Sequence, residues 1–392
     1  MREKATSFIF VVLLVLFFVL AVIIPKDDLA SVMENRPLAS APAFNISAIK
    51  AGSFQDDFEK YLSDNIGFRS RFITAGTLLE KIKGVNIIKT KMPKDQVITY
   101  PWGTQLVLSR GRIMEVYDKL PDVLAHYVNV LNKYSAEFAD DHNMYVMLAP
   151  TQLEFDTTEY HDLADSQKES IDEIYAQLIN YTTVNVYDKL AAHSNEYIYF
   201  RTDHHWTQRG AYYGYCALSE AKGISPLSLE DMTANKYSGF LGYLFNQANV
   251  QEYKQFADEI EYFDFDKNYP ITIKEKNADG QIVSYQNKMY RLPEGTSANY
   301  GLFMGGDFSF IEMDTDVKNG ETALIIKDSY ANALIPLLAN NYEKILVIDP
   351  RSYYGTVEQL TLDYDIDDII FINYALIARN DAFITYIENI MK

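Results

Sequence analysis

The stretch Thr322-Ala-Leu-Ile-Ile-Lys-Asp-Ser-Tyr-Ala-Asn-Ala-Leu-Ile-Pro-Leu-Leu-Ala-Asn340 decides the fold. It opens with a short apolar run, Thr322–Ile326, that reads as a buried strand. It then turns through Lys327-Asp328-Ser329-Tyr330 into an apolar segment, Ala331–Asn340, that reads as a helix. A second buried strand follows at Lys344–Ile348 and a third at Asp368–Ile372. Strand, helix and strand at this spacing predict a parallel α/β sheet with right-handed crossovers. Active sites of such sheets lie at the carboxyl ends of the strands, where Ser329 falls.

Working outward, Met144–Ala149 is a further strand, and Val184–Tyr187 and Tyr197–Phe200 read as strands too. Residues 121–140 form an amphipathic helix, with Val123, Leu124, Tyr127, Val128, Leu131, Tyr134 and Phe138 on one stripe. Ser166 with Glu169 three residues on is a capping box for another helix. A third helix starts at about Thr207 and ends near Gly223. Residues 225–320 look like a less regular insertion, with a hairpin of Ile271–Lys276 and Gln281–Gln286. Residues 53–83 look helical. The domain division expected is an anchor at 1–25, a tether and helical region at 26–100, and an α/β domain at 101–392.

The anchor is the apolar run Phe8–Ile24, extended by Ala5, Thr6 and Ser7 to 20 residues before Pro25. At about 1.5 Å per residue it spans roughly 30 Å, the thickness of a hydrocarbon core. Arg2 and Lys4 on its short side predict a cytoplasmic amino terminus, single-pass, with the bulk outside. A cleaved signal peptide is the alternative, and either reading exports the rest. A net charge of −19 argues against binding nucleic acid or other polyanions, whose phosphates would be repelled, and makes a neutral or cationic partner easier. The lone cysteine, Cys216, rules out an intrachain disulfide, so stability must come from a core. Thirty tyrosines could stack on sugars, but packing accounts for them more simply.

Two motifs could carry chemistry. In Thr202-Asp203-His204-His205-Trp206-Thr207, an acid two residues before a histidine can orient the imidazole and stabilise its protonated form. A metal reading takes Asp203, His204 and His205 together, but adjacent histidines on a short turn are expected to diverge, and no His/Cys cluster completes a shell. No metal or other cofactor is expected. In Lys327-Asp328-Ser329-Tyr330, Ser329 either caps the helix or projects its hydroxyl above the sheet as a nucleophile elbow does, without the G-x-S-x-G signature. Both motifs fall just past predicted strands, so both can reach one sheet edge, where serine, histidine and aspartate make an acyl-transfer site.

Asp203-His204-His205-Trp206 resembles the signature of the DHHW family of bacterial, mostly Gram-positive, exported proteins. Glu34-Asn35-Arg36, Asp64, Phe68-Arg69, Phe240-Leu241-Gly242, Gly305-Gly306, Lys327-Asp328-Ser329-Tyr330-Ala331-Asn332, Asp349-Pro350-Arg351 and Tyr353-Tyr354 resemble its other blocks. That family is similar to the SGNH-hydrolase-like proteins that acetylate alginate. The resemblance implies a three-layer fold with a circularly permuted motif order. Carried over, it makes Ser329 the nucleophile, His205 the base and Asp203 its orienting acid, with Trp206 and Asp328 as motif support and no role for His204. Oxyanion donors would come from the N–H of Ser329 or Tyr330, from Gly306, or from the Asn373 side chain. Lys327 stands where many such enzymes have glycine, and Asp307 where asparagine is expected; an acid at an oxyanion hole opposes catalysis unless it points away.

The expected function is a membrane-anchored serine O-acyltransferase, acetyl being the expected group, or an esterase, acting on an envelope or secreted polysaccharide. A multi-pass membrane acyltransferase is the implied acyl donor. The alternatives are a catalytically inactive carbohydrate-binding or scaffolding protein of envelope assembly, and a metal-dependent hydrolase.

Overall fold

The computed structural model describes residues 92–392 apart from 101, 102, 278 and 293–297, together with Ala41, Phe54, Gln55, Phe58 and Tyr61. Pro93–Ala248 and Glu252–Lys392 form one compact unit; Met1–Met92 group separately with Asn249–Gln251. In the second group Phe54, Gln55, Phe58 and Tyr61 are helical, and the Phe54 and Phe58 rings stack with centroids 5.9 Å apart, an i,i+4 contact. The rest of the helix expected over 53–83 lies outside the described residues. So do the expected anchor and, but for Ala41, the tether. Among the described residues no helix is long and apolar enough to cross a membrane.

In chain order the main elements are β1 (Gln96–Thr99), β2 (Gln105–Ser109), β3 (Arg112–Glu115), α1 (Pro121–Phe138), β4 (Asn143–Ala149), α2 (Gln167–Tyr175), β5 (Thr182–Val184), α3 (Val186–Ala192), α4 (Gln208–Ala221), β6 (Thr233–Phe240), α5 (Tyr243–Ala248) and β7 (Asp258–Asp264). There follow β8 (Pro270–Lys276), β9 (Ile282–Lys288), β10 (Phe310–Asp314), β11 (Thr322–Lys327), α6 (Ile335–Leu338), β12 (Lys344–Ile348), α7 (Val357–Asp363), β13 (Asp368–Tyr374) and α8 (Asp381–Asn389).

The central sheet has eight strands in the order β5-β4-β13-β11-β12-β10-β8-β9. The first five are parallel, as expected. The last three are antiparallel to their neighbours, so the sheet is mixed. The stretch expected to be an insertion therefore supplies β8, β9 and β10 to the sheet itself. Their alternation explains this: Ile271, Ile273, Ile311 and Met313 continue one core face.

Period-two alternation along the strands divides the core into two layers. Met147, Ala323, Ile325, Val347 and Ile370 point to one side, where they meet Trp206, Tyr215 of α4 and Leu334. Val146, Leu324, Ile326, Leu346 and Phe371 point to the other, where they meet Tyr127, Leu131 and Tyr134 of α1 and Ile384 of α8. Tyr134 meets Phe371 edge-on at 5.1 Å. The result is three layers, helix on sheet on helix.

The expected caps are present. Ser166 Oγ accepts from the Glu169 N–H at 3.2 Å, Thr207 Oγ1 accepts from the Gly210 N–H at 3.3 Å, and Gly223 takes φ +72° past the end of α4. Three local expectations fail. The strand at Val184–Tyr187 stops at Val184, because the Asn185 side chain accepts from the Asp188 N–H and starts α3. Among the described residues Tyr197–Phe200 pairs with no strand and makes one isolated bridge, Tyr199 to Trp206. The helix at Ala331–Asn340 is a 3₁₀ segment, Ser329–Ala333, followed by the single turn α6. Pro336 has no N–H to offer the Asn332 carbonyl, so α-helical bonding cannot run on from the 3₁₀ segment, and the proline sits in the first turn of α6, where a missing N–H is tolerated.

Candidate functional site

The carboxyl end of β11 lies beside that of β13, with Lys327 in register with Ile372. Asp328 then leaves the sheet. Its Oδ1 accepts from the Tyr330 N–H at 2.9 Å, which caps the 3₁₀ turn. Its Oδ2 accepts from the Asn373 amide at 3.1 Å and the Tyr374 N–H at 3.0 Å, which fixes the turn to the end of β13. Burial pushes the Asp328 carboxyl up to about 6, against the opposing pull of these hydrogen bonds. Ser329, held between, is half-buried.

The second motif arrives from the other side. Asp258 of β7 accepts from the Arg201 and Thr202 N–H groups, both at 2.8 Å, from Thr202 Oγ1 at 2.5 Å, and from the Tyr197 hydroxyl. This pins the chain where it enters Asp203. Trp206 is wholly buried and donates its indole N–H to the Tyr330 carbonyl at 2.8 Å, so one motif is bonded to the other.

His205 Nε2 lies 2.7 Å from Ser329 Oγ, and His205 Nδ1 lies 2.5 Å from Asp203 Oδ1. Asp203 Oδ1 also accepts from the His205 N–H at 3.0 Å, and Oδ2 from the Tyr243 N–H at 2.7 Å. Burial favours the neutral acid, but His205, His204 and these donors outweigh it and hold Asp203 well below the usual carboxylate range. Gly242 is obligatory here: a Cβ on it would sit 2.2 Å from Asp203 Cβ and 2.4 Å from Oδ2. The His205 ring stacks on Tyr300, with centroids 3.8 Å apart and an angle of 11°. The Tyr300 hydroxyl in turn donates toward the Ser329 carbonyl at 3.1 Å. Hydroxyl, imidazole and carboxylate in this order can pass a proton from serine to histidine while the acid fixes the ring and offsets its charge.

The adjacent histidines do not diverge as expected. The His204 ring lies 3.9 Å from that of His205, in a cage with Tyr243, Tyr330 and Tyr374. Burial and the neighbouring His205 push His204 down to about 4, and its buried Nδ1 has no hydrogen-bond partner, with Asp203 Oδ1 4.0 Å away. Donor atoms of Asp203, His204 and His205 lie within 4.8 Å of one another. A shared metal fits poorly, because both His205 nitrogens are already committed, one to Asp203 and one to Ser329.

The oxyanion candidates separate clearly. The Tyr330 N–H is spent on Asp328. The Gly306 N–H points to the Phe303 carbonyl at 3.3 Å, at φ +124°. Asn373 is wholly buried; its amide donates to Asp328 and its Oδ1 accepts from Tyr127 at 3.0 Å, so it does not face the Ser329 hydroxyl as a free donor. The Ser329 N–H, first past the cap, has no partner among the described residues.

The two departures from the family pattern meet each other. Lys327, wholly buried, places Nζ 2.5 Å from Asp307 Oδ1 and 3.6 Å from Asp349 Oδ2. Arg351 bridges the same acids, at 2.8 Å to Asp307 and 2.5 Å to Asp349, and the Asn332 amide reaches Asp307 at 2.8 Å. Burial would raise the Asp307 carboxyl, but Lys327 and Arg351 hold it far below its ordinary range. Both Asp307 oxygens are occupied by donors.

A family model described as DHHW protein matches residues 103–348, well over half of the chain. The chain belongs to the DHHW family. Among solved structures it is similar to a DHHW family protein from Eubacterium siraeum DSM 15702, at TM-score 0.65 and 27% identity, covering 75% of this chain and 98% of that one. Bacillus cereus PatB1 with a sulfonyl adduct is similar at TM-score 0.58 and 18% identity, covering 72% and 96%, a likeness of fold. The O-acetyltransferase domain of Pseudomonas putida AlgJ aligns at TM-score 0.37 and 11% identity over 76% and 99%, too low to carry an argument. No curated protein matches. Of the DHHW blocks in the sequence, Phe240-Leu241-Gly242 places Gly242 against Asp203, and Asp349-Pro350-Arg351 places Asp349 by Lys327 and Arg351 by Asp307. Asp258 and Tyr300 carried no signal; each is a common residue whose partner lies far away in the chain.

Proposed function

We propose that this DHHW protein is an extracytoplasmic, membrane-anchored serine O-acyltransferase, acetyl being the expected group, or an esterase, acting on an envelope or secreted polysaccharide. The observation that carries the reading is the continuous Ser329–His205–Asp203 chain of 2.7 and 2.5 Å, in which the serine alone is half-buried while the other two are enclosed. In this scheme Ser329 Oγ attacks the acyl carbonyl and His205 Nε2 takes its proton. The proton goes to the leaving group, and the acyl-serine forms. The acceptor sugar hydroxyl, deprotonated by His205, then attacks, and Ser329 is regenerated; water in place of sugar gives hydrolysis. The free Ser329 N–H is the donor available for the tetrahedral oxyanion.

The pairing of Lys327 with Asp307 weakens the inactive-scaffold alternative, because the acid that would oppose an oxyanion is neutralised. By resemblance, a multi-pass membrane acyltransferase supplies the acyl group, and the anchor at residues 5–24 keeps the site near it. PatB1 has been captured with a sulfonyl adduct; sulfonyl reagents react with activated serine hydroxyls, so they probe this site too. The full-length protein in mild detergent is treated with p-nitrophenyl acetate and, separately, with phenylmethylsulfonyl fluoride. Turnover and a sulfonyl mass increment on the Ser329 peptide are expected, and both vanish in Ser329→Ala. Equal turnover by wild type and variant overturns the reading.

A further inference from the structure

The contact with Asp203 fixes the His205 ring in one respect only. A hydrogen bond through Nδ1 aims one corner of the ring at the carboxylate. It leaves the ring free to rock about that bond, and rocking carries Nε2 away from Ser329 Oγ. A misplacement of about 1 Å at a reacting group costs on the order of 10²-fold in rate. A further contact must therefore hold the plane of the ring.

Two rings supply it. Tyr300 lies nearly parallel to the imidazole, at 11°, with centroids 3.8 Å apart, and His204 lies 3.9 Å from it, tilted by 34°. Two rings this close to a third cannot share one of its faces, so they stand on opposite faces. Carbon atoms attract best at about 3.5–4.0 Å and repel when closer, so the imidazole has no room to rock. Both plates are fastened to the nucleophile turn. The Tyr300 hydroxyl donates toward the Ser329 carbonyl at 3.1 Å and the Tyr330 carbonyl at 3.3 Å, and the Tyr330 hydroxyl donates to the His204 carbonyl. Base and nucleophile, 124 residues apart in the chain, are thus held in one frame. Tyr300 is itself braced by the tilted rings of Phe303 at 5.5 Å and Phe200 at 6.2 Å.

The chemistry of the two plates suits an imidazole that becomes charged. The buried Nδ1 of His204 makes no hydrogen bond, so stacking and not that nitrogen places the ring. Held at about 4, His204 is neutral near pH 7 and sets no like charge beside an imidazolium. The face of Tyr300 is electron-rich and attracts a cation lying over it.

We propose that Tyr300 and His204 are positioning residues that clamp the His205 imidazole from both faces and aim its Nε2 at Ser329. The kinetic half of the test rests on the acyl-serine reading; the clamp itself belongs to the resting protein. Full-length protein in mild detergent is assayed with p-nitrophenyl acetate. In parallel, proton NMR follows the low-field signal of the His205–Asp203 hydrogen bond, assigned by its absence in His205→Gln. Tyr300→Leu and His204→Ser each remove one plate. Each should lower kcat at least about tenfold with KM within about twofold of wild type, and should broaden or abolish the signal. Tyr300→Phe and His204→Phe keep a neutral ring in place and should recover most of the lost kcat and the signal. Circular dichroism reports folding; should Tyr300→Leu fail to fold, His204→Ser, at a partly exposed ring, decides. A signal that behaves as described in a wild type without turnover supports the clamp and refutes the acyl-transfer reading. Absence of the signal from wild type, unchanged kcat and signal in folded plate variants, or phenylalanine variants no better than the others overturns the clamp.

Discussion

Two polar clusters flank the same turn, one partly open to solvent through Arg351 and Asp307 and one enclosed except at its serine, and they are built on opposite principles. On one side Lys327, Arg351, Asp307 and Asp349 form a closed set of two cations and two anions whose donors and acceptors answer one another. On the other, Asp203 and His205 form a chain that ends at a half-buried hydroxyl. A closed set of ion pairs stabilises geometry. An open chain has one group whose best partner is not yet present. The contrast separates support from chemistry without any appeal to motif.

Breaking the open chain should have the largest effect, on activity and not on folding. Ser329→Ala and His205→Ala should each lower turnover of an activated acetyl ester on the order of 10⁴-fold, with the double variant no worse than either. Steady-state kinetics measure this, and additive losses would show that the two do not act as a unit. Breaking the closed set should do the reverse. Lys327→Met leaves the buried Asp349 and the partly exposed Asp307 with Arg351 as their one cation and should destabilise by about 2 kcal/mol in urea unfolding. Adding Asp307→Asn should recover part of that loss.

A third change tests what holds the open chain in place. Gly242→Ala forces its Cβ into Asp203, and the resulting displacement should lower turnover by about 10²-fold while leaving sulfonyl labelling of Ser329 detectable. The smallest effect concerns pH. His204 is held at about 4 against an unfolded value near 6.5, so between these limits the unfolded chain binds more protons. Its contribution to stability is therefore complete above about pH 6.5 and is lost as pH falls toward 4. From pH 7 to 5 the wild type should lose about 2 kcal/mol more than His204→Gln, read by urea unfolding at both values. Equal losses would place the burial of His204 in doubt.

Strands whose apolar runs are buried on both faces were readable: β4, β11, β12 and β13 stand where their sequences put them. So were caps with a side chain at a fixed offset, as at Ser166 and Thr207. What failed depended on one local residue overriding a pattern, as Pro336 and Asn185 do, or on pairing that no local pattern encodes. Tyr197–Phe200 has strand composition, but Asp258, more than fifty residues on, takes the N–H groups that follow it. The Asp203–His205 pair was legible because it spans two residues of one turn. Its approach to Ser329, 124 residues away, was legible only as a shared sheet edge. The ion-paired cluster was not legible at all: Lys327 and Asp307 appeared as two separate faults, and only their 2.5 Å contact shows them to be one feature.

The enclosure of Lys327 has a chemical consequence. A primary amine two residues before a serine that carries an acyl group is a rival acceptor. Transfer to it would give an amide that neither water nor sugar could reverse under mild conditions, and the protein would inactivate itself. Between Asp307 and Asp349, and wholly shielded, the side chain directs its N–H bonds at carboxylates and is turned away from any ester at Ser329. In the proposed acyl-serine scheme, the acids that looked like an obstacle to the chemistry would act as a lock on its most dangerous by-product.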